Sequence, residues 1–474
     1  MFEQCRPEDV GVDSRGLIQF LDDMKAKRLH MHKMMVLRHG KVLMKTSFAP
    51  WSTDDLHMLF SLSKSFTSTA VGFAVQDGLL KTEDRLIDFF PELLPCEPCD
   101  NMRKVTVRHL LTMNTGHDEE PRLNGDSDGS WERIFVRSYI AHEPGTHFVY
   151  NTAGTYMLSA IVQKATGKNT LDYLKEKLFV PLGISSDAWS EESPSGVPTG
   201  GYGLNVRIDD IAKLGQFFLQ KGKWEGRQLL NEQWIRDAQT PWSDNSKWSG
   251  GPDWNSGYGY QFWMCTPANV FRGDGAFGQY CIICPDQDMV IAINSGVDDM
   301  GEVMRSLWKH VLPAVDRAGE SGGALEKRLL ETETPADWED HGETAEDPVL
   351  EPGWAGSYRL AAGNPLGLTQ IDLTDHGVCI TDAQGRKIQF ALQRSGWLKA
   401  SLTPSLPGRE GYFDQAAVRA ARVGDRLVIH LCYTLTPFED VLKLSFTEHG
   451  IVISAGRNIS FGNNGPHEII GFRL

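Results

Sequence analysis

A chain of 474 residues is longer than one hydrophobic core organises, so two domains are expected. Its 62 acids against 47 bases leave a formal net charge of −15, which argues against a nucleic-acid or anionic-membrane partner. No apolar run approaches transmembrane length, and the polar start Met1-Phe2-Glu3-Gln4-Cys5-Arg6 shows no secretory signal. With cysteines scattered along the chain, a reduced cytoplasmic protein is the simplest expectation.

In chain order, Lys33 to Met44 reads as two short strands around a His39-Gly40 turn. Next comes Phe60-Ser61-Leu62-Ser63-Lys64-Ser65-Phe66, where a polar loop becomes an apolar helix. Ser61 and Lys64 fall one helical turn apart on the same face, which sets an amine beside a hydroxyl and can activate it as a nucleophile. The following Thr67 to Val75 is small and apolar nearly all round, so the helix reads as buried, with its N-terminal amides available to a developing oxyanion.

The section from about Glu83 to Gly250 is polar and helical. Within it Cys96 and Cys99 sit in a loop with too few ligands for a metal site, and no metal or cofactor is expected anywhere. Gly125-Asp126-Ser127-Asp128-Gly129 matches a nucleophile elbow in letters, but it lacks the preceding strand and reads as a polar loop. Tyr150 stands just before a helix that includes Thr155 to Val162; beside a lysine, its phenol could lose a proton and act as a base. Ile208 to Leu219 has helical periodicity.

After Trp254 the pattern turns to strands: Gly259 to Met264, Tyr280 to Cys284 and Met289 to Asn294, the last two joined at Pro285-Asp286-Gln287-Asp288. Cys281 and Cys284 on a strand point to opposite faces and cannot share a metal. Arg272-Gly273-Asp274-Gly275-Ala276 is a Gly-rich approach to a strand, open to close ligand approach or to a tight hairpin. The helix Glu302 to Leu312 carries a second Ser-x-x-Lys, Ser306 and Lys309, read as packing. Strands from both ends of this unit imply one antiparallel sheet flanked by helices with a mostly helical subdomain, an α/β fold. An acidic linker follows over 319–348, and 349–474 is a series of short strands that reads as a small all-β barrel or sandwich.

Ser61-x-x-Lys64, Tyr150 and the Gly-rich strand in this order resemble the serine β-lactamase and penicillin-binding-protein family, closest to class C β-lactamase-like hydrolases, related esterases and D-aminopeptidases. The phrases Leu110-Leu111-Thr112-Met113-Asn114-Thr115-Gly116, Gly200-Gly201-Tyr202-Gly203-Leu204 and Asp209 to Gly215 fit as well, and the resemblance makes 1–318 the hydrolase domain. It implies Ser61 as nucleophile, Lys64 as its deprotonating partner, Tyr150 as the base that also protonates the leaving group, and the backbone amides of Ser61 and Ala276 as the oxyanion hole. Two motifs depart from the family pattern. Where Tyr-x-Asn is usual, Thr152 occupies the third place, with Asn151 as a neighbouring substitute; where Lys-Thr-Gly or His-x-Gly is usual, Gly273-Asp274-Gly275 stands. Gly273 offers no cation to a substrate carboxylate, Asp274 repels one, and strand alternation sets Arg272 on the face of Asp274 to neutralise it.

The expected function is therefore a serine hydrolase working through an acyl-enzyme on small esters, amides or peptides. The alternatives are a D,D-peptidase or weak β-lactamase and, from another class, a non-catalytic sensor that keeps the fold. A small-molecule substrate is the only partner implied.

Overall fold

A computed structural model describes residues 2–474 apart from 96, 124–129, 318, 320–322, 334–344, 376, 393–395, 402–411, 413 and 414. The central sheet is built from β1 Met31–Arg38, β2 Lys41–Ser47, β3 Trp263–Met264, β4 Phe271–Gly275, β5 Gln279–Cys284 and β6 Met289–Ser295. Its order is β2-β1-β6-β5-β4-β3, and every pairing is antiparallel. Strands from the two ends of the N-terminal unit meet at β1 and β6, where Met35 faces Ala292. His39 and Gly40 both take positive φ, 51° and 72°, as a two-residue hairpin turn of matching twist requires.

The helices used below are α1 Ser14–Ala26, α2 Ser63–Gln76, α3 Thr152–Thr166, α4 Ile208–Leu219, α5 Met300–Ser306 and α6 Ala324–Glu333. One face of the sheet packs on α1 and α5 through Leu17, Phe20, Met304 and their neighbours; the other packs on α2 and α4 through Phe66, Leu214 and Phe217. This sandwich buries every residue of β1. Gly215 lets α4 lie close on β6, since a Cβ there would stand 2.4 Å from Val290 Cγ1.

Two expectations need correction. Gly259 to Met264 is a strand only at Trp263–Met264, because Gly257 and Gln261 take positive φ of 113° and 63°. The Gln261 amide is buried, donating to the Leu110 and Leu111 carbonyls and accepting from Thr155, so a polar knot replaces an extended segment. The acidic stretch is not solvated throughout either: α6 buries Leu325 against the α1 side of the core, and Arg328 pairs with Asp22. The 302–312 helix runs as α5, continues as a wide π-helical turn over Leu307–Val311 and ends in a 3-10 turn at Ala314. Cys281 and Cys284 are buried on opposite faces of the sheet. Ser127 and Cys96 lie outside the described residues.

The C-terminal unit is a meander of β7 Gly356–Leu360, β8 Leu368–Thr374, β9 Gly377–Asp382, β10 Lys387–Phe390, β11 Leu398–Ser401, β12 Gln415–Val423, β13 Arg426–Tyr433, β14 Glu439–Thr447, β15 Gly450–Arg457 and β16 His467–Arg473. Its order β12-β13-β14-β15-β16-β7-β8-β9-β10, with β11 on the free side of β12, makes a nearly closed barrel around Ile371, Leu427, Ile429, Leu444 and Ile453. That core continues into the N-terminal unit through Met58 and Phe277, and the Met58 amide donates to the Leu435 carbonyl at 2.8 Å.

Candidate active site

Ser61 sits in the tight turn Phe60–Leu62 that feeds α2, just after Phe60, a non-glycine residue held at a left-handed φ of 48°. Such a conformation is costly and persists where packing enforces it; here the Phe60 ring is held edge-on by Phe277, Phe438 and Phe461. At the start of α2, one turn past Ser61, Lys64 is 1% exposed, and its Nζ lies 3.1 Å from Ser61 Oγ, 3.2 Å from Thr152 Oγ1 and 2.8 Å from the Gly201 carbonyl. Gly201 must be glycine to come this close, because a Cβ would stand 2.6 Å from Thr152 Cγ2.

Burial decides the protonation states. It brings Lys64 down to about 7, since desolvation disfavours the ammonium and the charges of Glu120 and Asp274 only partly restore it. It pushes the Tyr150 phenol upward, with the Asp274 charge adding to the shift and a hydrogen bond with Ser61 opposing it. A nearby lysine's pull on the phenol proton is thus outweighed by burial: the Tyr150 ring stacks on Trp263 at 5.2 Å and lies 4.8 Å beneath Lys64 Nζ, and desolvation favours the neutral form of both groups. Glu120, whose carboxylate accepts from the Ala153 amide at the start of α3, is a charge near the site that sequence reasoning missed.

The remaining expected residues separate. Thr152 reaches Lys64, but Asn151 does not replace the missing asparagine: it caps α3, accepting from the Gly154 amide and donating to Thr115 Oγ1. Asp274, Gly275 and Ala276 line the cleft, whereas Gly273 does not. Gly273 is the point where β4 touches α2, and a Cβ there would stand 2.3 Å from Ser65 Oγ and 2.6 Å from Leu62 Cδ1. It is a packing requirement rather than a vacated cation position. Among the described residues, the Ser61 and Ala276 amides donate to no protein acceptor, which leaves them available to an oxyanion. Arg272 pairs with Asp274 at 2.8 Å and is fully buried, so it neutralises that carboxylate without reaching a ligand. Burial raises the Asp274 pKa, opposed by Arg272 and by the Trp254 indole N–H at 2.9 Å.

The cleft over Ser61 holds about 730 Å³. Trp248, Trp254, Trp263 and Tyr202 wall it, and the carboxylates Glu191 and Asp274 are its acids. Phe438 and Phe461 of the barrel close one side, a contribution that no spacing in the sequence signals.

A Ser-x-x-Lys pair at the head of a buried helix packed on an antiparallel sheet, its lysine fully buried, defines a serine hydrolase of the β-lactamase/transpeptidase fold. The beta-lactamase family model matches residues 22–315, and the chain belongs to that family. It is 26% identical over 314 residues to a 6-aminohexanoate-dimer hydrolase of Paenarthrobacter ureafaciens, covering 60% of this chain and 77% of the relative. It is 28% identical over 153 residues to penicillin-binding protein 4* of Bacillus subtilis strain 168, covering 30% of this chain and 32% of that protein. The structure of the octameric penicillin-binding protein homologue from Pyrococcus abyssi superposes with a TM-score of 0.52 at 16% identity, over 96% of this chain and 99% of that one, so the shared fold takes in the barrel. Among the described residues no helix is long and apolar enough to cross a membrane.

Proposed function

We propose that this serine hydrolase forms an acyl-enzyme at Ser61 and acts on neutral or amine-bearing esters and amides. The observation that carries the reading is the buried Lys64 amine, 3.1 Å from Ser61 Oγ and with a pKa near 7. In its neutral form Lys64 takes the hydroxyl proton as Ser61 Oγ attacks the carbonyl carbon. The resulting oxyanion is received by the Ser61 and Ala276 amides. Tyr150, protonated at rest, gives its proton to the leaving oxygen or nitrogen and is reprotonated from Lys64. Water then attacks the acyl carbon as neutral Lys64 takes one of its protons, and Lys64 passes that proton to Ser61 Oγ as the acyl C–O bond breaks and the acid is released.

The substrate class follows from the charge of the cleft: Glu191 lines it, Asp274 is neutralised by Arg272, and that arginine is sealed away from any ligand. An anionic β-lactam lacks its cationic contact there, which is worth about 1.5–3 kcal/mol, or one to two decades in kcat/KM. The relative named as a 6-aminohexanoate-dimer hydrolase supports amides as substrates. The buried thiols of Cys265, Cys281, Cys284 and Cys432 support the cytoplasmic setting expected from the sequence.

A panel of p-nitrophenyl esters, D-amino-acid amides and nitrocefin tests the reading. Esters or amine-bearing amides should exceed nitrocefin in kcat/KM by at least about tenfold; nitrocefin turnover equal to the best ester overturns the substrate class. A fluorophosphonate adduct at Ser61 together with ester turnover supports the enzyme, whereas a stable acyl adduct without turnover would show a sensor.

A further inference from the structure

Asp118, His142 and His147 bring three donor atoms within 4.8 Å of one another, the only such group among the described residues. The His142 and His147 rings lie 4.1 Å apart at 31°, and His142 Nε2 is 2.6 Å from Asp118 Oδ1. A surface His–Asp ion pair would account for that last contact alone. It does not account for the second imidazole turned onto the same spot, nor for the rigidity of the frame beneath.

That frame consists of two loops stitched together by their backbones. The His142 amide donates to the Gly116 carbonyl at 2.9 Å, and the Gly145 amide to the Asn114 carbonyl at 2.8 Å. Between the two histidines, Thr146 closes the turn by donating from both its amide and its hydroxyl to the Glu143 carbonyl. Gly116 permits the close approach, since a Cβ there would stand 2.3 Å from the His142 carbonyl oxygen. The surrounding charge favours a cation: Asp118, Glu119 and Glu120 are consecutive, and nearby Lys104 is engaged by Glu143 at 2.8 Å.

We propose that Asp118, His142 and His147 bind one divalent ion of the late first transition series, such as Zn²⁺, Ni²⁺ or Cu²⁺. Two imidazoles with one carboxylate suit these ions, whereas Mg²⁺ and Ca²⁺ prefer all-oxygen sets. The exposed side of the cluster leaves the remaining coordination positions to water. The site is separate from the chemistry of the cleft, but its two loops lead directly into it. His147 lies three residues before Tyr150, and Asp118 two residues before Glu120, which holds the N-terminus of α3. Occupancy would clamp these loops against each other.

The test is Zn²⁺ titration of the full chain in competition with a chromogenic chelator, for the wild type and for His142→Ala and His147→Ala, with circular dichroism confirming that the variants are folded. One tight Zn²⁺ per chain is expected in the wild type, weakened about tenfold or more in each variant. A Zn²⁺-dependent rise in melting temperature should likewise be lost in both, and Mg²⁺ should give neither effect. Equal Zn²⁺ affinity in wild type and variants would overturn the proposal, as would wild-type binding weaker than about 100 μM, a level any exposed histidine reaches.

Discussion

The floor and the roof of the cleft are built on different physics. The floor is a set of polar groups in a dry setting: Lys64 has three partners, and its position is fixed by the bonds its Nζ donates to Ser61 in the turn before α2, to Thr152 of α3 and to the Gly201 carbonyl. The roof is apolar contact between two folds, Phe60 and Phe277 of the hydrolase unit against Phe438 and Phe461 of the barrel. Burial in the floor changes protonation states and therefore reactivity. Burial in the roof changes only which substrates fit. Reaction and selectivity should accordingly fail separately under mutation.

The largest effect belongs to the floor. Ser61→Ala should lower kcat on every substrate by roughly four to six orders of magnitude while leaving the melting temperature near that of the wild type. Retained turnover would move the nucleophile elsewhere. Next in size, Lys64→Arg keeps a cation that cannot become neutral, so it should lose roughly three orders of magnitude. On the proposed mechanism the wild type reacts with Lys64 neutral, and burial lowers its pKa to about 7, so kcat/KM should rise with pH through about 7. Tyr150→Phe combined with Lys64→Ala should be little worse than either alone, because the two act on one proton path. A rate independent of pH between 6 and 8, or additive losses, would separate Lys64 from the chemistry.

Much of the floor could be read from sequence because its signals are local: a serine and a lysine one turn apart, a tyrosine before a helix, a His-Gly hairpin. What could not be read depends on what packs against what. Gly273 looked like a lost lysine, yet the contact of β4 with α2 admits no side chain. Gly273→Lys should therefore disrupt the site rather than improve nitrocefin turnover. Thr152 was read as a departure and proves to contact Lys64, whereas Asn151, the apparent substitute, serves as a helix cap. The barrel aromatics and the Asp118–His142–His147 cluster come from loops distant in sequence, so no spacing announces them. Of the strand expected over Gly259 to Met264 only Trp263–Met264 forms, because Gln261 buries its amide among loop carbonyls, an environment that periodicity does not carry.

Where floor and roof are joined, a buried histidine pair adds a sensitivity to acid. His32 Nδ1 lies 3.1 Å from His57 Nε2, the His32 ring stacks on Trp51 at 3.6 Å, and both rings are inaccessible to solvent. Burial lowers His57 to about 3 and His32 well below its usual value, with Lys33 adding to both shifts. These folded-state values lie below the unfolded one, so between pH 6.5 and about 3 the unfolded chain binds protons that the folded chain refuses. The pair's contribution to stability is thus full above pH 6.5 and declines as pH falls, by about 1.4 kcal/mol per pH unit for each histidine. Urea midpoints should drop from pH 6.5 to 5, and His57→Gln should shallow the slope. A flat profile in the wild type would mean that the pair is hydrated or already charged.

The smallest effect belongs to the roof, and Phe461 is the cleaner probe of it. Phe438 is 5% exposed, so its truncation would cost about 3–5 kcal/mol in the barrel core and confuse selectivity with folding. Phe461 is 79% exposed, yet its ring lies 4.7 Å from Phe277 and 5.8 Å from Phe60, at the edge of the cleft. Phe461→Ala removes apolar surface from the mouth without touching Lys64 or the Ser61 and Ala276 amides. It should leave the rate of labelling by a small fluorophosphonate unchanged and shift the ratio of kcat/KM for long over short p-nitrophenyl esters by about two- to fivefold, since a partly solvated contact is worth no more than about 1 kcal/mol. Equal losses on acetate and on octanoate would show that the barrel governs the reacting atoms, and the separation of floor from roof would fail. An unchanged ratio would mean that bound substrates never reach the barrel, which leaves selectivity to Trp248, Trp254 and Trp263 on the hydrolase side of the cleft.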